Sequence, residues 1–75
     1  MAHQLDCKGL RCPMPIVRVG LAMRQLAAGE QLTVEATDPA FQPDISAWAR
    51  KTGHRLIQFD SGPPQRAVLE KAGVP

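Results

Sequence analysis

The side chain best suited to chemistry in this sequence is the thiol of Cys12, which lies in the run LRCPMP at 10–15. Proline is favoured in the first turn of a helix, where its missing N–H costs nothing. Pro13 therefore predicts a helix with Cys12 as its N-cap. The helix dipole and the positive charges of Lys8 and Arg11 favour thiolate over thiol. The sequence thus predicts a partly exposed, nucleophilic sulfur whose pKa is lowered by about one unit.

The residues around the thiol predict both its hydrogen bonding and its surroundings. Pro13 and Pro15 have no N–H, so the amide of Met14 is expected to be the main local donor to the sulfur. Arg11 is expected to stabilise a negative charge on that sulfur. Pro13, Met14 and Pro15 are expected to form an exposed rim for partners, because a thioether side chain adapts to varied surfaces.

Cys7 is the second of two cysteines and allows several interpretations. It can be a small apolar residue on a strand, a resolving thiol for Cys12, or half of a metal site. A zinc site needs four ligands, and the sequence offers only His3 and His54 besides the two thiols, so no metal is expected. Without a helix start, Cys7 is expected to keep a pKa near the free value of about 8.5.

A catalytic cysteine usually needs a neighbouring base. His3 and His54 are the only histidines, and both fall at predicted strand starts. No cofactor motif is present in the sequence, so we expect no cofactor. A thiol that only accepts a group and passes it on fits better than an enzyme with turnover of its own.

The composition limits the remaining function classes. Seventy-five residues form one domain, 1–75, and a formal charge of +2 is too weak to predict nucleic-acid binding. One Trp, two Phe and no Tyr leave little for base stacking. No apolar run approaches the ~20 residues of a membrane helix, and the N-terminus does not resemble a signal peptide. The expected location is the cytoplasm, with no membrane partner.

Hydrophobic periodicity predicts strands and helices in the order βαβαββ. Their predicted ranges are strand His3–Cys7, helix Pro13 to about Ala28, strand Glu30–Thr37, a helix ending at Thr52, strand His54–Asp60 and strand Gln65–Lys71. The second helix begins at either Pro39 or Pro43, and a helical turn over 67–73 is the alternative to the last strand. The predicted fold is a two-layer α/β sandwich, with two helices on one face of a mixed four-stranded sheet.

Three glycines have predicted roles. Gly9 is expected to adopt a backbone geometry that side chains resist, and Gly29 to end the first helix at C′. Gly20 is expected either to pack closely on the sheet or simply to be tolerated within the helix.

Several side chains have predicted positions in this fold. Trp48 is expected in the core, and Ile57 and Phe59 are expected on the core face of the third strand. Asp38 and Asp44 mark helix starts, so they are expected to act structurally and at a partner surface, not in chemistry.

Beyond these local patterns, the sequence resembles the TusA family of small sulfur carriers, also called SirA-like proteins. The resemblance extends from Leu5 to about Phe59. The residues that carry it are Leu5-Asp6, Gly9-Leu10-Arg11-Cys12-Pro13-Met14-Pro15, Gly29-Glu30, Thr37-Asp38-Pro39, Asp44-Ile45, Trp48 and Thr52-Gly53-His54. Two features depart from it: many members have no cysteine at the position of Cys7, and the segment after Phe59 lacks their aromatic-rich strand.

The resemblance implies a sandwich like the C-terminal domain of translation initiation factor three, with the family's persulfide on Cys12. It implies a cysteine desulfurase or rhodanese as sulfur donor and a sulfur-relay protein as acceptor. The pathways it implies include tRNA thiolation, sulfur oxidation, molybdenum cofactor assembly and selenium-related roles. The alternatives are a thiol-disulfide redox module using Cys7 and Cys12, and an RNA-binding or regulatory module.

Overall fold

The computed structural model describes residues 3–73 of the chain. Two helices and four strands follow one another in the predicted βαβαββ order. The elements are β1 (His3–Cys7), α1 (Met14–Arg24), β2 (Gln31–Ala36), α2 (Phe41–Thr52), β3 (Arg55–Asp60) and β4 (Gln65–Glu70). The final segment is thus a strand and not a helical turn.

The four strands form one mixed sheet in the order β1-β2-β4-β3. β1 pairs with β2 in parallel, while β4 is antiparallel to both of its neighbours. Both helices pack on the same side of the sheet and contact each other. The predicted two-layer α/β sandwich is confirmed.

The core lies between the sheet and the helices. β2 provides Leu32, Val34 and Ala36, which are all fully or almost fully buried, as their alternation predicts. The helices provide Val19, Met23, Phe41, Ile45 and Ala49. The opposite face of the sheet is polar, and there Glu35 forms ion pairs with Lys8 and Arg66.

α1 is shorter at its C-terminus than predicted, ending at Arg24 and not near Ala28. The Lys71 side chain donates to the carbonyl of Met23 (2.6 Å), which satisfies one free carbonyl of the last turn. The Glu30 carboxylate accepts the amide of Ala27 (2.7 Å) and folds 27–30 into a turn. Gly29, with φ of 87°, lies in this turn, so its assignment as the C′ residue of the helix was wrong.

α2 begins at Phe41, between the two predicted prolines. The Phe41 amide donates to the carbonyl of Asp38 (3.0 Å), which starts the first turn. Pro43 lies within that turn, where its missing N–H costs nothing. Gly53 ends α2 in the left-handed conformation, as its position after Thr52 predicts.

β3 contains an irregularity that reverses one prediction. The pairing of β3 with β4 shifts register between Leu56 and Gln58. Such a bulge turns the intervening side chain away from its expected face. Ile57 is therefore exposed, whereas Leu56 and Phe59 pack against the core.

Of two other predicted core contacts, one is absent from the structure and one is confirmed in part. Gly20 faces open space, since a Cβ there would meet nothing within 4 Å, so close packing does not explain this glycine. Trp48 packs against the core, as predicted, but it is only half-buried, and its ring lies against that of His54 with centroids 5.3 Å apart. The fully buried aromatic residue is Phe41, at 1% exposure.

This difference predicts that Phe41 contributes more to stability than Trp48. Phe41→Ala is expected to lower the free energy of unfolding by about 3–5 kcal/mol, because it empties a closed core site. Trp48→Ala is expected to cost clearly less, because part of its ring is already in water. Urea denaturation followed by circular dichroism measures both; an equal or larger loss for Trp48→Ala would contradict this assignment.

Candidate functional site

Cys12 is exposed and lies in the turn between β1 and α1. The N-cap of α1 is Pro13 and its first helical residue is Met14, so Cys12 precedes the cap by one residue instead of occupying it. The amide of Met14 donates to the carbonyl of Arg11 (2.8 Å) and is not free for the sulfur. The N-cap prediction was therefore wrong by one position, and the Met14 amide was wrongly predicted as the donor to the sulfur because it is already paired.

The parallel pairing of β1 and β2 determines which residues meet Cys12. Their last residues, Cys7 and Ala36, are register partners, so the two following loops leave the same edge of the sheet. Gly9, at φ 82° as predicted, donates its amide to the Thr37 hydroxyl (2.9 Å). The amide of Cys12 donates to the Asp38 carboxylate (2.8 Å), which links the cysteine loop to the start of α2.

Two carboxylates accompany the sulfur. Oxygen atoms of Asp38 and Asp44 and the Sγ of Cys12 all lie within 4.8 Å of one another. Asp38 belongs to the loop after β2, and Asp44 lies in the first turn of α2. Exposed acidic groups are common without an ion, so we assign no metal to this group.

The carboxylates reverse the predicted electrostatics of the thiol. The Asp44 carboxylate, as acceptor for the thiol hydrogen, raises the pKa of Cys12, and desolvation and the charge of Asp38 add to this. Lys8 does not offset them, because its ammonium pairs with Glu35 (3.0 Å) and Asp6 (3.2 Å). The predicted lowering of the pKa is therefore wrong.

The sequence did not predict that Asp44 lies close to the sulfur of Cys12. Both aspartates carry the local signal of a helix start, and that signal concerns only the helix to which each belongs. The missing information was strand order: parallel neighbours place the loop after β1 beside the start of α2. Local sequence patterns therefore do not predict that both aspartates lie close to Cys12.

Cys7 is the opposite of Cys12 in its surroundings. It is completely buried in the core at the end of β1, and both thiols are free. Burial raises the pKa of Cys7, so the expectation of a nearly free value is also wrong. Its interpretation as a small apolar residue is supported by this position.

The rim predicted from Pro13, Met14 and Pro15 is exposed only in part. Pro13 and Met14 are exposed, but Pro15, the second residue of α1, is buried. Val17 and Leu21, at 45% and 54% exposure, continue the apolar surface of Met14 along α1. We call these three residues of α1 the apolar ridge. Arg11 is also exposed.

The two histidines are engaged elsewhere. His3 contacts the Glu30 carboxylate at 3.3 Å. His54 accepts the amide of Ala72 on its Nδ1 (3.0 Å), and burial lowers its pKa. The structure therefore supports neither of them as a base for Cys12.

The structure thus combines a two-layer α/β domain with an exposed cysteine in the turn before its first helix. The family model described as "Sulfurtransferase TusA" matches residues 3–71. The chain therefore belongs to the TusA family, and the resemblance found in the sequence is confirmed.

Three relatives, each named a "Putative sulfur carrier protein", extend this finding. YrkI of Bacillus subtilis (strain 168) is 51% identical over 68 residues, covering 89% of this chain and 91% of that protein. YrkF of the same organism is 46% identical over 70 residues, covering 92% of this chain but only 38% of that protein. A protein of Aquifex aeolicus (strain VF5) is 41% identical over 56 residues, covering 75% of this chain and 28% of that protein.

The chain therefore matches YrkI over nearly its whole length, but it spans well under half of the other two relatives. Within residues 3–73, no helix combines the length and the apolar character that crossing a membrane requires.

The link between Asp38 and the cysteine loop generates a stability prediction. Asp38→Ala is expected to lower the free energy of unfolding by about 1–2 kcal/mol, because it removes the acceptor for the Cys12 amide. Asp38→Asn retains a side-chain oxygen for that amide and is expected to lose less. Thermal and urea denaturation compare the two variants. Equal losses would show that the hydrogen bond to Cys12 does not stabilise the loop.

Proposed function

We propose that this protein carries sulfur as a persulfide on Cys12 and transfers it between proteins. The observation that supports this most directly is the contrast between the two thiols: Cys12 is exposed in a turn, and Cys7 is completely buried. Membership of the TusA family and the names of the relatives agree with sulfur as the cargo.

The loading step balances without an added oxidant or reductant. The sulfur of Cys12 attacks the outer sulfur of a persulfide, R–S–SH, on a donor protein. The donor's S–S bond breaks, and its inner sulfur leaves with the bonding electrons and takes up a proton. Cys12 becomes Cys12–S–SH as it loses its own proton. In delivery, a thiolate of the acceptor attacks the outer sulfur, and Cys12 is the leaving group.

The donor in this proposal is a cysteine desulfurase or a rhodanese, and the acceptor is a protein of a sulfur relay. Either partner must reach a sulfur in the turn that leads into α1, the helix that bears the apolar ridge. A partner can therefore cover Met14 and Val17 while its reactive sulfur meets Cys12. The downstream pathways we propose are tRNA thiolation and sulfur oxidation or trafficking.

The two alternative functions have less support. A redox module would need Cys7, which has to leave the core before it can meet Cys12. An RNA-binding module would need a basic surface. The open face of the sheet instead pairs Arg66 and Lys8 with the acidic Glu35.

Cys12→Ser tests the proposal at its central residue. The wild-type protein, incubated with a cysteine desulfurase, cysteine and pyridoxal phosphate, is expected to gain the mass of one sulfur atom, which reductant removes. Cys12→Ser is expected to gain none while its circular dichroism spectrum stays unchanged. Reductant-labile sulfur on a folded Cys12→Ser protein, or none on the wild type from any desulfurase or rhodanese, would refute it.

Cys7→Ser provides the matched thiol control. It is expected to load like the wild type, because Cys12 retains its whole environment. It is also expected to lower the free energy of unfolding by about 1–3 kcal/mol, since a hydroxyl replaces an apolar sulfur in the core. Intact-mass spectrometry and urea denaturation measure the two effects. A folded Cys7→Ser protein that does not load would replace the single-cysteine carrier with a two-thiol relay.

A further inference from the structure

The environment of Cys12 is unusual for an exposed nucleophilic thiol. The sulfur lies beside two carboxylates, and the nearest predicted donor, the amide of Met14, is used by the carbonyl of Arg11. The nearest predicted ammonium, that of Lys8, is held by Asp6 and Glu35. The charged groups that act on the thiol are thus Asp44 from α2 and Asp38 from the loop after β2, while Arg11 lies exposed next to it in the chain.

The two carboxylates have different tasks. Asp38 accepts the Cys12 amide on Oδ2 and faces the Ala40 amide with Oδ1 (3.5 Å). Within residues 3–73, the Asp44 carboxylate forms no ion pair with a Lys, Arg or His side chain. An oxygen of Asp44 is therefore available to accept the hydrogen of the Cys12 thiol. A thiolate has no hydrogen to donate, so only the neutral thiol can form this bond.

We propose that Asp44 is a positioning residue that holds unloaded Cys12 as a neutral, hydrogen-bonded thiol. This inference rests on the proposed function, because it concerns the state in which the carrier waits for sulfur. An exposed thiolate reacts with stray disulfides and oxidants, and a thiol does so much more slowly. Asp44 thus lets Cys12 stay exposed to partner proteins without being consumed between transfers.

The proposal predicts a specific change in the pH dependence of the Cys12 reaction. Asp44→Asn removes the charge that disfavours thiolate, so the inflection of reactivity is expected to move to lower pH. If the inflection moves by one pH unit, the variant has about tenfold more thiolate than the wild type at pH values below the inflection. That thiolate is about threefold less nucleophilic, so the reaction rate is expected to rise by about threefold. Above both inflections, the variant is expected to be slower than the wild type, because its thiolate is less basic.

The assay uses the neutral disulfide 4,4′-dithiodipyridine and no sulfur donor. The Cys12 thiolate attacks one reagent sulfur, the reagent S–S bond breaks, and the released thiopyridone is measured by absorbance. The thiol proton passes to the buffer. Buried Cys7 reacts slowly, and the absence of the fast phase in Cys12→Ser identifies that phase as Cys12. Asp60→Asn, which changes an exposed aspartate at the end of β3, is the matched control and is expected to follow the wild-type profile.

The outcomes separate a protonation role from a structural one. A gain at pH 7 together with a loss at high pH supports the proposal. An unchanged inflection, or rates scaled by one common factor at every pH, overturns it. If Asp44→Asn does not fold, the wild-type profile decides, since an inflection at or below the ~8.5 of free cysteine overturns the proposal and a higher one supports it. Because no sulfur is transferred, failure here leaves the persulfide assignment to its own test.

Discussion

The parallel pairing of β1 and β2 is the constraint on which the site depends. Parallel neighbours end at the same edge of a sheet, so the loop with Cys12 and the loop with Asp38 leave it side by side. The hydrogen bond from the Cys12 amide to Asp38 then ties the two loops together. Since α2 begins directly after the second loop, Asp44 also reaches the sulfur. None of these contacts would exist if β1 paired with β3.

The meeting of these two loops explains why the electrostatic environment of the Cys12 thiol differs from that of a cysteine at a helix N-cap. A cysteine at the N-cap would face the free amides and the positive end of the dipole. Here Pro13 takes that position, the Met14 amide is already paired, and the nearby charges are carboxylates. The balance therefore favours the neutral sulfur, even though the loop exposes it to solvent.

Local patterns in the sequence were sufficient for most of the fold. The alternation around Leu32, Val34 and Ala36 predicted β2 and its buried face, and the position of Gly53 predicted the end of α2. Phe41 was missed as a core residue because the two flanking prolines left the start of α2 undecided, although it lies four residues before Ile45 on the buried face of that helix. Ile57 was misplaced because a bulge in strand pairing leaves no local signal.

The site was predictable only in part. Proline after cysteine identified Cys12, because the chemistry of that residue depends on its immediate neighbours. The partnership with Asp44 was not predictable from local spacing, since it depends on strand order and on the path of two loops. The direction of the Cys12 pKa shift depends on Asp44, so it was mispredicted because the contact with Asp44 was not predicted.

The exposure of Cys12 at a turn has a consequence for selectivity. A carrier that encloses its cargo can recognise it by shape, but a single atom at the tip of a loop is open to solvent. Recognition must then come from the surface around the loop, so the docking partners decide which molecule receives the atom. Selective pressure on such a protein should therefore act on its contact face more than on any binding cavity. Exchanging the residues of that face between relatives should change which partner receives the sulfur without changing the transfer reaction.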